Sequence, residues 1–106
     1  MNKPFLKLLK GNKRFKRLLG DAKNRQGLRS GLVVLKPGEL VGEHSTENKE
    51  EILIVLSGCG YFYYGKKTII LKENTFLYVP ERTTHNVKNA GQKPLKYVYI
   101  TANLNK

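Results

Sequence analysis

A chain of 106 residues that is 40% hydrophobic and 9% aromatic is long enough to bury one core and too short for two, so a single site is expected. Its longest apolar runs, Ile52–Leu56 and Thr68–Leu71, fall far short of the roughly 20 residues a membrane-spanning helix needs, and the lone Cys59 excludes an internal disulfide or a multi-cysteine metal cluster. The net charge of +12 sits mainly at one end: residues 1–31 hold ten Lys and Arg against Asp21 (10 − 1 = +9), and residues 32–106 hold ten against seven acids (10 − 7 = +3).

In chain order, Phe5, Leu8, Leu9, Phe15, Leu18 and Leu19 recur at spacings near three and four with Lys and Arg between them, which predicts an amphipathic helical arm. Gly11 divides this arm and Gly20 is its natural stop. Lysines interrupt the apolar residues, so no signal-peptide core is expected and the protein is read as cytoplasmic. A basic amphipathic helix can dock on the body or a partner subunit, lie on an anionic membrane, or contact phosphates. Docking is the favoured use. Nucleic-acid contact through residues 1–31 is a weaker reading, because Phe5 and Phe15 suit an apolar stripe better than a base-stacking surface.

After a polar connection from Asn24 to Gly31, the pattern changes to short apolar runs separated by turn residues. Leu32–Leu35 precedes Pro37-Gly38, Glu51–Leu56 precedes Gly58-Cys59-Gly60, and Tyr61–Tyr64 precedes Gly65-Lys66-Lys67. Thr68–Leu71 and Thr75–Val79 follow, then a polar stretch around His85 and a last run, Leu95–Ala102. Runs of this length and composition predict an all-β sandwich or barrel, with Tyr61–Leu71 as a hairpin. The expected organisation is a basic helical arm and connection over 1–31 and a β-barrel domain over 32–106.

Two segments carry the chemistry: GELVGEHSTENKEEILIVLSG from Gly38 and NTFLYVPERTTHNVKN from Asn74. The first resembles cupin motif one (Gly, five residues, His, one, His, three or four, Glu, six, Gly) at Gly38, His44, Glu51 and Gly58. The second resembles cupin motif two (Gly, five residues, Pro, one, Gly, two, His, three, Asn) at Pro80, His85 and Asn89. The resemblance covers about residues 32–102 and implies a jelly-roll barrel, a divalent metal inside it, a small-molecule ligand and a homodimer. Thr46 stands where the family has its second histidine, and Asn74 and Arg82 stand at the two motif-two glycines. The implied metal set is therefore His44, Glu51 and His85, one ligand short of three histidines and a glutamate.

The residues support that set independently. His44 and Thr46 are two apart and share a strand face. Glu51 heads a strand that is otherwise apolar, where a carboxylate is costly unless paired. Two imidazoles and a carboxylate on converging strands suit iron, manganese, zinc or nickel and leave positions open. Glu50 is expected to face outward, and Thr46 to bond a bound water rather than the metal. Tyr61, Tyr63, Tyr78, Tyr97 and Tyr99 are candidate pocket residues, and Arg82 could reach over the barrel mouth towards an anion. Dioxygenation, isomerisation, epimerisation and decarboxylation all occur on this fold. The competing reading is a non-catalytic binding or sensing module with a degenerate metal site.

Overall fold

The computed structural model describes residues 3–20 and 27–104. Nine strands follow in order: β1 (Phe15–Leu19), β2 (Leu28–Leu35), β3 (His44–Ser45), β4 (Lys49–Ser57), β5 (Gly60–Tyr64), β6 (Lys67–Leu71), β7 (Thr75–Val79), β8 (Thr84–Asn89) and β9 (Leu95–Asn103). They form a five-stranded sheet in the order β1-β2-β9-β4-β7 and a four-stranded sheet in the order β3-β8-β5-β6. Every named pairing is antiparallel. The all-β architecture read from the sequence is the one formed. The expected hairpin is β5–β6, closed by Gly65-Lys66, with Lys67 already paired to Tyr64.

Period-two alternation packs the sheets together. Along β4, Glu51, Leu53 and Val55 are buried while Ile52 and Ile54 on the other face are half-buried. Leu35, Leu53, Val55 and Leu95 of the larger sheet meet Phe62, Leu71 and Val87 of the smaller one in a single cluster. Each such side chain contributes about 1.5–3 kcal/mol when fully buried. The chain crosses from β4 to β5 at Gly58, whose φ is +85° and where a Cβ would collide with the Pro94 carbonyl oxygen. Glycine is required there on both counts.

Asn89 closes the end of the barrel away from the site. Its Nδ2 donates to the carbonyls of Leu35 and Lys93, both at 2.8 Å, and its Oδ1 accepts from the Gly91 amide at 2.9 Å. The other two motif-two positions also have a structural explanation. Asn74 and Arg82, where the family pattern has glycine, sit at φ +62° and +54°, in the left-handed region that glycine occupies without cost.

The helical arm expected over Phe5–Leu19 does not form. Residues 3–13 have no regular secondary structure, and Phe15–Leu19 is strand β1, hydrogen-bonded to the edge of β2. A helix of this length is marginal in isolation. Here it would stack Lys and Arg three and four apart with no acidic residue from 5 to 19 to relieve them. The same residues satisfy an alternation: Phe15 and Arg17 oppose Val33 and Gly31, and the Phe15 ring stacks on Tyr99, centroids 6.3 Å apart. Gly31 makes this approach possible, since a Cβ there would lie 2.5 Å from the Phe15 ring and 2.6 Å from that of Tyr99. Of the expected connection from Asn24 to Gly31, residues 24–26 lie outside the described residues and the rest enters β2 at Leu28.

Candidate metal centre

The open end of the barrel contains a cavity of about 610 Å³ between the two sheets. His44 on β3 and His85 on β8 are direct cross-strand partners, which brings their rings to 4.2 Å between centroids. Glu51 reaches them from β4 in the facing sheet, with its Oε1 3.2 Å from His85 Nε2. One donor atom from each of the three residues can be chosen so that all lie within 4.8 Å of one another. Around a metal with bonds of about 2.0–2.2 Å, neighbouring donors sit roughly 3 Å apart, so the Glu51–His85 distance already suits adjacent ligands.

Backbone carbonyls fix how the imidazoles present themselves. His44 Nδ1 is 2.8 Å from the Gly42 carbonyl and His85 Nδ1 is 2.9 Å from the Thr83 carbonyl. In each case the acceptor is two residues earlier, so Nδ1 carries the proton as donor and Nε2 is left for a metal. The Phe62 ring stacks on His85 at 5.1 Å and holds its plane. Burial alone would lower the His85 pKa. The hydrogen bond to Glu51, that to Thr83, and the Glu51 charge outweigh it and raise the value above the usual 6.5. The shift favours the charged form of His85 beside Glu51, so a metal taking Nε2 competes with a proton for that atom. The donor set and its spacing fit a divalent ion.

The other predicted residues divide sharply. Tyr97 and Tyr99 line the cavity. Burial pushes both hydroxyls up, most strongly that of Tyr97, so they stay protonated as donors. Thr46 also lines the cavity, but its hydroxyl is committed elsewhere: it donates to the Pro80 carbonyl at 2.7 Å and accepts from the Thr83 amide at 3.0 Å. It thereby ties the β3–β4 turn to the loop that presents His85. Tyr61 and Tyr63 alternate with the inward Phe62 and meet edge to face with centroids 5.9 Å apart, away from the cavity. Tyr78 is on the outer face of the larger sheet, where its hydroxyl donates to the outward-facing Glu50. This bond raises the Tyr78 pKa. Arg82 is 76% exposed beside Glu81 and does not line the cavity.

Sequence reasoning missed Arg29 and Lys49, both of which line the mouth. The signal was the parity of β2, in which Arg29, Gly31, Val33 and Leu35 share a face. It was hidden because that strand was started at Leu32 rather than Leu28.

The two-sheet barrel brings two histidines and a glutamate together at one end, a set that could hold a metal ion. The cupin-domain family profile matches residues 31–101, and the chain belongs to the cupin family. The sequence is 31% identical over 68 residues to the xanthan biosynthesis protein XanB of Xanthomonas campestris, covering 64% of this chain but 15% of that protein. It is 29% identical over 66 residues to the oxalate-binding protein of Thermotoga maritima, covering 62% of this chain and 54% of the relative. The chain thus spans a small part of the first relative and about half of the second. Among solved structures, a predicted oxalate decarboxylase of Thermotoga maritima superposes with a TM-score of 0.78 at 25% identity, covering 85% of this chain and 79% of the other.

Proposed function

We propose that this cupin holds one divalent metal through His44 Nε2, His85 Nε2 and the Glu51 carboxylate, and takes a small carboxylated molecule into the cavity beside it. The observation that carries the reading is the pair of Nδ1 locks, to the Gly42 and Thr83 carbonyls, which leave Nε2 as the ligand atom of each ring, that of His85 lying 3.2 Å from Glu51 Oε1. Three protein donors leave coordination positions open, and a metal there supplies Lewis acidity to a bound oxygen ligand. The chain's own groups orient that ligand. Tyr97 and Tyr99 donate hydrogen bonds, Val33, Val41 and Leu53 form the apolar wall, and Arg29 and Lys49 make the entrance basic. Relatives named for oxalate binding and oxalate decarboxylation support a carboxylated ligand.

Use of the same centre as a metal-dependent oxygenase or isomerase is the second reading, favoured by the open positions. Against it, the hydroxyl of Thr46, where the family has its fourth ligand, is fully engaged in holding the loop, which favours binding or sensing. The deciding measurement is metal content after purification without chelators or a histidine tag, repeated for His44→Ala and His85→Ala. One equivalent in the wild type, lost in both variants, supports the centre, and no bound metal in the wild type overturns it.

The homodimer belongs to the same proposal. The outer face of the larger sheet carries the cross-strand row Leu32–Val98–Ile54–Phe76, of which Leu32 and Val98 are already buried within the chain, while at its edge Phe76 is 65% exposed and Tyr78 50%. An apolar sheet face of this kind is best covered by a second copy. Light scattering should give twice the chain mass for the wild type and the monomer mass for Phe76→Lys. A monomeric wild type would remove the dimer. Among the described residues no helix is long and apolar enough to cross a membrane.

A further inference from the structure

Arg29 is a cation on the inner face of a strand whose next three inward positions are Gly31, Val33 and Leu35. The register places Arg29 opposite Thr101, and Thr101 opposite Glu51. Arg29 therefore shares a cross-sheet row with the carboxylate of the metal centre, two strands away. At 4.7–4.9 Å per strand this is roughly 10 Å between backbones. Its stem lies against Gly20, where a Cβ would come within 2.8 Å of Arg29 Cγ, so the fold leaves room for this side chain. The guanidinium faces the cavity mouth and is near enough to Tyr99 for its charge to act on that hydroxyl.

Of the three other described arginines, Arg14 pairs with Glu39 at 3.1 Å and Arg82 with Glu81 at 3.8 Å, while Arg17 donates to the Gly20 carbonyl and lies over the Phe15 ring. Among the described residues, Arg29 has no carboxylate at ion-pair distance. Glu51, the acid on its own row, is engaged by His85. Lys49 is one row further out on the same face, opposite Asn103. With neutral imidazoles, a divalent ion, Arg29 and Lys49 stand against Glu47 and Glu51 in the lining, a net +2. That field matches a ligand with two negative charges rather than one.

We propose that Arg29 selects ligands carrying a second acidic group: one carboxylate is held at the metal centre, and the other acid, carboxylate or phosphate, is held by the Arg29 guanidinium. The ligand class is a short-chain dianion. This rests on the metal reading above and narrows it. A planar guanidinium offers paired donors to either kind of acid.

The test uses the full chain loaded with Co(II), titrated with succinate, 3-phosphonopropionate and butyrate. Binding is read from the cobalt absorption spectrum and by calorimetry. The wild type should bind at least one of the two dianions about tenfold or more tightly than butyrate, the effect of one charge-assisted contact; which dianion leads distinguishes a second carboxylate from a phosphate. Arg29→Gln and Arg29→Met should reduce that ratio to near one, the dianions losing far more affinity than butyrate, and Arg29→Lys should restore part of it. Cobalt uptake, measured in every variant, separates loss of the contact from loss of the fold. An undiminished dianion preference in both Arg29 variants, or its disappearance in Lys49→Gln instead, overturns the assignment while leaving the metal centre intact. The same holds for equal binding of all three probes by cobalt-loaded wild type. Failure of the wild type to take up cobalt overturns both.

Discussion

Replacing Glu51 by Gln in the metal-free protein isolates the charge that links the two sheets. The variant keeps shape and volume but removes the contributions that raise the His85 pKa through Glu51, leaving burial opposed only by the Thr83 carbonyl. In the wild type, a histidine pKa raised above its unfolded value stabilises the fold fully below about pH 6.5. That contribution is lost as pH rises through the folded-state value. Trapping an unpaired charge by removing its buried partner costs about 3–5 kcal/mol. His85 can shed its proton, so the expected cost of Glu51→Gln at pH 5.5–6 is about 1–3 kcal/mol. For a domain of this size each kcal/mol corresponds to roughly 4–8 °C in melting temperature. The difference should shrink as pH rises and vanish or reverse once wild-type His85 is neutral, because a carboxylate then faces an imidazole lone pair that the glutamine amide can satisfy. Urea denaturation of EDTA-treated proteins from pH 5.5 to 9 at constant ionic strength measures this. A difference that does not change with pH, or no difference at any pH, would refute the pairing argument.

Three further outcomes follow from the packing. Asn89→Ala should destabilise by about 2–3 kcal/mol in chemical denaturation, because the Leu35 and Lys93 carbonyls and the Gly91 amide lose their partner at a site closed to water. Arg82→Gly should stabilise by about 0.5–1 kcal/mol, since relief of the φ +54° conformation exceeds the added chain entropy of glycine, and the 3.8 Å contact of the exposed Arg82 side chain with Glu81 contributes little. Gly31→Ala should cost about 1–3 kcal/mol by overpacking against Phe15 and Tyr99. It should also release β1, seen as faster proteolysis between residues 3 and 20.

The strands of the body were legible because their information is local: alternating apolar residues bounded by Gly, Pro and Asn at positions that need a turn. Strand β1 was not, because FLKLL and FKRLL fit a helical spacing as well as an alternation. What decides between them is the unpaired edge of β2 and the space left by Gly31, both distant in sequence. The two-residue β3 exists only through the pairing of His44 with His85, which a local pattern cannot express. His44, Glu51 and His85 could be named from motif register. The Gly42 and Thr83 carbonyls that orient the imidazoles could not, because every residue has a carbonyl. Tyrosine identity suggested five pocket residues, and strand parity admits Tyr97 and Tyr99 while turning Tyr61, Tyr63 and Tyr78 outward.

Anomalous diffraction at the cobalt edge from crystals of the Co(II)-loaded protein locates the ion directly. A single peak within about 2.0–2.2 Å of His44 Nε2, His85 Nε2 and a Glu51 carboxylate oxygen is the expected result, with both Nδ1 atoms still bonded to Gly42 and Thr83. A peak elsewhere, or an empty centre in which Glu51 and His85 remain paired to each other, would contradict it.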